Sequence, residues 1–237
     1  LTKELKLDPK NLYVTIFKGT DDVPRDNEAE KLWIELFTKA GIDPKGKIFE
    51  YDAQKNWWSR SGPPENMPAG EPGGPDTEVF YDFGAQLKLH ETSAFKDMPC
   101  HVNCDCGRYI EIANSVFMQY SKTPARKLEP LPKPNVDFGG GLERLLLACE
   151  HQPDVFQTSL LAPVIETIAV QTAKNYRENE LSMRIVTDHF IAASFIIMAG
   201  IHPSNTDQGY ILRRLIRRAY DHFSKLDGKE VAPILEA

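Results

Sequence analysis

A chain of 237 residues, 41% hydrophobic and 26% charged, has the length and composition for a buried core, which excludes wholesale disorder and collagen-like repeats. Its formal charge of −6 does not mark the whole molecule as a nucleic-acid binder, so charge must be read locally. No apolar run reaches the roughly 18 residues that cross a bilayer, and Leu1 to Lys10 is too charged to be a signal segment, so a cytosolic chain without a membrane partner is expected.

Asn11 to Phe17 is an alternating run of β-formers, and Asn27 to Ala40 carries helical spacing through Leu32, Leu36 and Phe37. From Ser61 to Pro75, five prolines and four glycines predict a loop. Thr77 to Tyr81 and Arg108 to Tyr120 read as strands; strict alternation in the second puts Ile110, Ile112, Asn114, Val116 and Met118 on one face and points Glu111 away from Asn114. Prolines 124, 130, 132 and 134 predict an irregular connection, and Gly139 to Gly141 then lead into a helix starting near Leu142. Beyond Pro153 the pattern is helical only: Leu160 to Asn175, Ser182 to Ala199 and Gln208 to Lys225. The expected architecture is α+β in residues 1–155 followed by an all-helical domain in 156–237.

The segment PKPNVDFGGGLERLLLA, Pro132 to Ala148, places an acid, three glycines and a helical arginine in succession. Glycines let backbone approach a flat or phosphorylated ligand closely. Asp137 has the charge to hold a substrate ammonium, and the planar fork of Arg144 suits a polyphosphate. Taken by itself, a glycine turn with a surface arginine reads equally as a plain turn.

Cys100, His101, Cys104 and Cys106 form a compact cluster, too closely spaced for a disulfide framework in so large a chain. Thiolates beside an imidazole could hold zinc, but the one-residue spacing between Cys104 and Cys106 is tighter than ordinary structural sites use and no fourth ligand is obvious, His90 being a candidate only by its distance in sequence; free thiols are the preferred reading, and no metal ligand is assigned. Further on, Arg213, Arg214, Arg217 and Arg218 form two i, i+4 columns opposite an apolar stripe of Leu212, Leu215, Ile216, Ala219 and Phe223. Between Arg184 and Lys225, six basic residues face three aspartates, a local excess of positive charge in an acidic chain and a phosphate-backbone footprint.

VDFGGGLERLLL resembles motif 3 of class II aminoacyl-tRNA synthetases, in the VDTGMGLER form of the alanyl-tRNA synthetases. RYIEIANSVFMQY is similar to that family's RYIEIWNLVFMQF strand, and RIVTDHFIAASFIIMAGIHPSNTDQGYILRRLIRRAY to its tRNA-recognition helices; the likeness runs from about Asn11 to Tyr220. It implies a class II antiparallel sheet with flanking helices. It also implies that Asp137 binds the alanine ammonium, that Gly139 and Gly141 line the adenylate pocket, and that Arg144 meets the ATP phosphates. By the same likeness Asn114, Val116 and Trp58 wall the alanine pocket.

Asn205, in HPSN, stands where the family's asparagine reads the wobble pair of the tRNA-Ala acceptor stem, beside Arg213, Arg214, Arg217 and Arg218. Mg2+ would accompany ATP, with Glu78 and Glu111 as candidate ligands. The sequence departs from the family at Gly73 and Asp76, which replace the cysteines of PCGPCTE, and at Ala113, which replaces a tryptophan. Motifs 1 and 2 belong before residue 1, and the chain starts at Leu1 with no methionine. The expectation is therefore a fragment of alanine-tRNA ligase inactive by itself, with self-association through its incomplete sheet. A tRNA acceptor-stem binding module, or half of a split synthetase, is the alternative.

Overall fold

The computed structural model describes residues 1–237 and divides into two compact units, Leu1–Pro153 and Asp154–Ala237. The first is built on a six-stranded sheet. Its strands are β1 (Leu12–Phe17), β2 (Ile48–Tyr51), β3 (Trp57–Ser59), β4 (Pro72–Asp82), β5 (Tyr109–Lys122) and β6 (Leu128–Gly140). They lie in the order β2-β1-β4-β5-β6, with β3 paired to β4. All pairings are antiparallel except β1 with β2, so the sheet is mixed rather than purely antiparallel. The parallel pair follows from the crossover through helix α1 (Asn27–Lys39), since parallel neighbours need a long return connection.

Asp26 caps α1 by accepting a hydrogen bond from the Ala29 N–H at 2.9 Å, and Glu28, Glu30 and Lys39 sit where the helix dipole favours their charges. Trp33 Nε1 donates to Thr77 Oγ1 at 2.8 Å, fastening α1 to the sheet. Val14, Ile16 and Phe17 of β1 are fully buried, and Phe17 packs with Val23, Trp57 and Met67.

Two expectations fail here. The prolines at 130, 132 and 134 lie inside β6, a strand of 13 residues, rather than in an irregular connection. β6 is the outer strand of the sheet, and its register with β5 jumps between Asn135 and Pro130, so Pro132 and Pro134 stand in an unpaired stretch and only Pro130 is paired, opposite Tyr120; an edge strand with such an irregularity tolerates the missing donors. The second concerns β4, which begins at Pro72, inside the predicted loop. Gly74 allows this: a Cβ there would stand 1.8 Å from the Phe117 carbonyl oxygen, so only glycine lets the two strands approach.

The second unit contains α3 (Ala162–Thr172), α4 (Tyr176–Met198), α5 (Asp207–Lys225) and the short α6 (Ala232–Glu236). Ile168, Met183, Val186, Phe190 and Phe223 form its core. The Asn175 side chain caps α4 by accepting from the Arg177 N–H, and α4 is kinked at Asn179, φ −132°. The expectation that no segment is apolar enough to span a bilayer is also corrected. By length and a mean hydropathy of 1.4 over an 18-residue window, α4 qualifies, because its charged residues Arg177, Glu178 and Glu180 lie in its first turns and only Arg184 and Asp188 follow. Its buried face nonetheless packs in the helical core.

Candidate active site

Strand pairing aligns the side chains of one sheet face in rows, because directly opposed residues point the same way. One row runs Asp76, Val116, Asp137 across β4, β5 and β6; the next runs Glu78, Asn114, Gly139. The third pairs Phe80 with Glu111. Glu111 therefore shares a face with Asn114, against the alternation argument. The register between β4 and β5 shifts at Val79 and Phe80, where Ile112 is the extra residue; a bulge of that kind reverses the facing of everything beyond it. The same shift moves Ile110, opposite Tyr81, to the other face.

The face carries a buried polar chain. Thr15 Oγ1 donates to Glu78 Oε2 at 3.0 Å and accepts from Asn56 Nδ2 at 2.7 Å. Asn56 Nδ2 also lies 3.1 Å from Asp76 Oδ1, and Asn114 Nδ2 donates to Asp76 Oδ2 at 3.1 Å. Burial pushes the Asp76 carboxyl up to about 6 against the pull of its two amide donors. Glu78 is pushed up to about 7, first by burial and then by the nearby charges of Asp76 and Glu111. Asn114 Oδ1 is buried and accepts no hydrogen bond from the protein.

A cleft opens beside these rows, lined by Glu78, Phe80, Asn103, Tyr109, Glu111 and Arg144 among others. Arg144 stands on the first turn of α2 (Leu142–Glu150) and reaches Glu111 Oε2 at 2.9 Å and the Glu111 carbonyl at 3.2 Å. Asp137 is exposed, and its Oδ1 accepts only the neighbouring Phe138 N–H at 2.9 Å. A Cβ at Gly139 would meet nothing within 4 Å, so that position opens freely, whereas at Gly141 it would press on the Arg144 side chain at 3.3 Å. Trp58, 41% exposed, pairs with Gly74, which lies within a second β4–β5 register shift between Gly73 and Asp76 and has no partner on β5, so strand pairing does not bring Trp58 into these rows.

Asp76, Asn56 and Asn103 were not marked as site residues from sequence. Asp76 carried a signal, as the acid standing in a cysteine position of the family pattern. Asn56 and Asn103 lie in aperiodic segments and gave none.

In the helical unit, Arg213, Arg214, Arg217 and Arg218 are all exposed on α5, while Leu212, Ala219 and Phe223 are buried and Leu215 and Ile216 half-buried. Arg213 Nη1 donates to Asn205 Oδ1, joining the turn before α5 to its basic face. Gly209 makes that turn compact: a Cβ would stand 2.3 Å from Ser204 Oγ and 2.5 Å from the His202 carbonyl oxygen.

A sheet whose last strand passes through glycines into a helix with an early arginine, beside a carboxylate-rich cleft, is the frame of a class II synthetase domain. The family model described as tRNA synthetases class II (A) matches residues 1–235, and the chain belongs to that family. It is 39% identical over 230 residues to a protein named alanine–tRNA ligase from Elusimicrobium minutum (strain Pei191), covering 96% of this chain and 24% of that protein. Over 227 residues it is 38% identical to the alanine–tRNA ligase of Borreliella afzelii (strain PKo), covering 94% and 35%. The alanine–tRNA ligase of Treponema denticola (strain ATCC 35405) is 38% identical over 231 residues, again covering 94% and 35%. The chain thus spans between a quarter and about a third of these relatives.

Proposed function

We propose that the chain is part of an alanine–tRNA ligase that works in the cytoplasm, and that its sheet supplies one wall of the alanyl-adenylate site. In the reaction, the alanine carboxylate attacks the α-phosphate of ATP, and the acyl group then passes to the terminal adenosine of tRNA-Ala. Such chemistry depends on positioning and on charge stabilisation.

Asp137 is assigned to the alanine ammonium, Asn114 and Val116 to the walls of its pocket, and Trp58 to the pocket's closure. Gly139 and Gly141 give the adenylate access to backbone, and Arg144 is assigned to the ATP phosphates. The observation that carries this reading is the buried, unpaired Asn114 Oδ1, in the row of Gly139 and beside the row of Val116 and Asp137. An orphaned acceptor there costs about 1 to 3 kcal/mol, which an ammonium donor would recover.

Mg2+ fits the carboxylates of Glu78 and Glu111, hard oxygen ligands on the same face whose mutual repulsion a cation relieves. It would neutralise phosphate charge when bound with ATP. Residues 1–155 are accordingly assigned to the later part of the aminoacylation domain and 156–237 to the start of the helical domain that recognises tRNA. There Asn205 and the four arginines of α5 are assigned to the acceptor stem. Self-association is assigned to the free edge of β6, where Val136 and Phe138 are 70% and 66% exposed.

The test is calorimetric binding of an unreactive alanyl-adenylate analogue. Asp137→Asn is expected to weaken it by roughly 10-fold to 150-fold, the range of a charge-assisted hydrogen bond of about 1.5 to 3 kcal/mol. Equal binding of the analogue by wild type and variant would remove the assignment.

A further inference from the structure

The connection from β4 to β5, Phe83 to Arg108, is long and contains only one turn of 3-10 helix, Ala85–Leu87, as regular structure. Arg108 closes its base on Asp82 through two hydrogen bonds of 2.9 and 3.0 Å. Few apolar side chains support the rest; Val102 is its deeply buried one after Phe83. Loops of this length hold one conformation only when something staples them.

Within it, one ligand atom each from His90, Cys100, Cys104 and Cys106 lies within 4.8 Å of the others. Cys100 Sγ and Cys106 Sγ are 4.0 Å apart, and Cys104 Sγ is 3.7 Å from His90 Nδ1. A tetrahedral zinc with bonds of about 2.3 Å to sulfur and about 2.0 to 2.1 Å to nitrogen has edges of roughly 3.8 Å between sulfurs and 3.5 to 3.6 Å between sulfur and nitrogen. The two observed edges fall close to those values. All four cysteines of the chain are free, and 4.0 Å is far beyond a disulfide.

His90 gives an independent indication. Its Nε2 lies 2.9 Å from the Met98 carbonyl oxygen, an acceptor only, so Nε2 carries the proton. Nδ1 then presents a lone pair toward the Cys104 thiol, the tautomer a metal-bound imidazole has when its other nitrogen is fixed by a carbonyl. His90, Cys104 and Cys106 are buried, and Cys100 closes the group from the solvent side.

We infer that His90, Cys100, Cys104 and Cys106 form a structural Cys3His zinc site that fixes the β4–β5 connection as a wall of the cleft. Four protein ligands leave no open position, so the ion holds structure and does not activate a ligand. Its effect on the cleft passes through Asn103, next to Cys104 in the chain, whose Nδ2 donates to Glu78 Oε2 at 3.3 Å and whose N–H reaches Tyr51 Oη at 3.4 Å. This site stands whether or not the cleft binds alanyl adenylate.

The test is elemental analysis of the chain purified without chelator, paired with cobalt substitution. Expected are stoichiometric zinc, the strong visible bands of tetrahedral cobalt, and thiolate-to-cobalt charge transfer in the near ultraviolet. Cys104→Ser and His90→Ala should lower bound metal at least about tenfold, while Cys149→Ser, on α2, retains it. Should those variants fail to fold, titration of the wild type with a mercurial should release zinc in step with three thiols. Metal-free wild type with no cobalt spectrum, zinc retained in Cys104→Ser, or a Cys100–Cys106 disulfide in the freshly purified chain would each overturn the site.

Discussion

The guanidinium of Arg144 on α2 holds both the carboxylate and the carbonyl of Glu111 on β5, at 2.9 and 3.2 Å. The pair is half-open to solvent, with side chains 50% and 31% exposed, so its contribution to stability is at most about 1 kcal/mol. Exchange of Glu111 for a phosphate therefore costs little. Arg144→Ala should shift the urea midpoint slightly while weakening ATP binding by roughly tenfold or more. A large loss of stability with unchanged ATP affinity would show the arginine to be a strut instead.

Asp76 and Glu78 have folded-state values of about 6 and about 7, above their ordinary 3.8 and 4.5. A carboxyl raised in this way keeps its proton longer in the folded chain than in the unfolded one. Its contribution is fully present below about pH 4, declines as pH rises through 6 to 7, and is constant above. The two groups interact and titrate together. Asp76→Asn should therefore lose Asp76's share of this decline while Glu78 keeps its own, so that the variant's stability relative to wild type improves between pH 4 and 7. Urea midpoints at successive pH values would settle it, and parallel curves for the two proteins would refute the coupling.

Arg144 is the only arginine lining the cleft, where it and Lys55 face Glu78, Asp105 and Glu111. Adenylate formation requires cationic groups at more than one phosphate, and this wall is acidic. The chain by itself should show no alanine-dependent exchange of pyrophosphate into ATP. Robust exchange by the purified chain would mean that its own residues complete the site.

The four exposed arginines of α5 and Asn205, in the turn before it, present donors to a nucleic acid. Affinity for an acceptor-stem minihelix should fall linearly with the logarithm of salt concentration, and Arg217→Ala should lower that slope by about 1. Asn205→Ala should instead reduce discrimination for the wobble pair with an unchanged salt slope. Salt-independent binding, or none, would set the helical unit apart from tRNA recognition.

Sequence periodicity located β1, α1, β5 and α5 within a few residues, but it chose the wrong face of α1: Leu32 and Leu36 are exposed, and the helix buries Ala29 and Phe37 with Trp33 half-buried between them. It lost β6, where edge position overrode the usual meaning of proline, and it missed the short strands β2 and β3, which have too few residues to show a period.

The succession of acid, glycines and arginine from Asp137 to Arg144 is local, so the sequence by itself determined both the family likeness and the start of α2 at Leu142. Only the tertiary structure decided that Glu111 joins them, since a single bulged residue at Ile112 reverses every later side chain and leaves no mark in composition. The same holds for Asp76, buried between Asn56 and Asn114, and for the choice of His90, 10 to 16 positions away, over the adjacent His101 as the imidazole that meets the three cysteines. Those groups meet through strand pairing and loop closure, which are set by the packing of the whole sheet and not by neighbours along the chain.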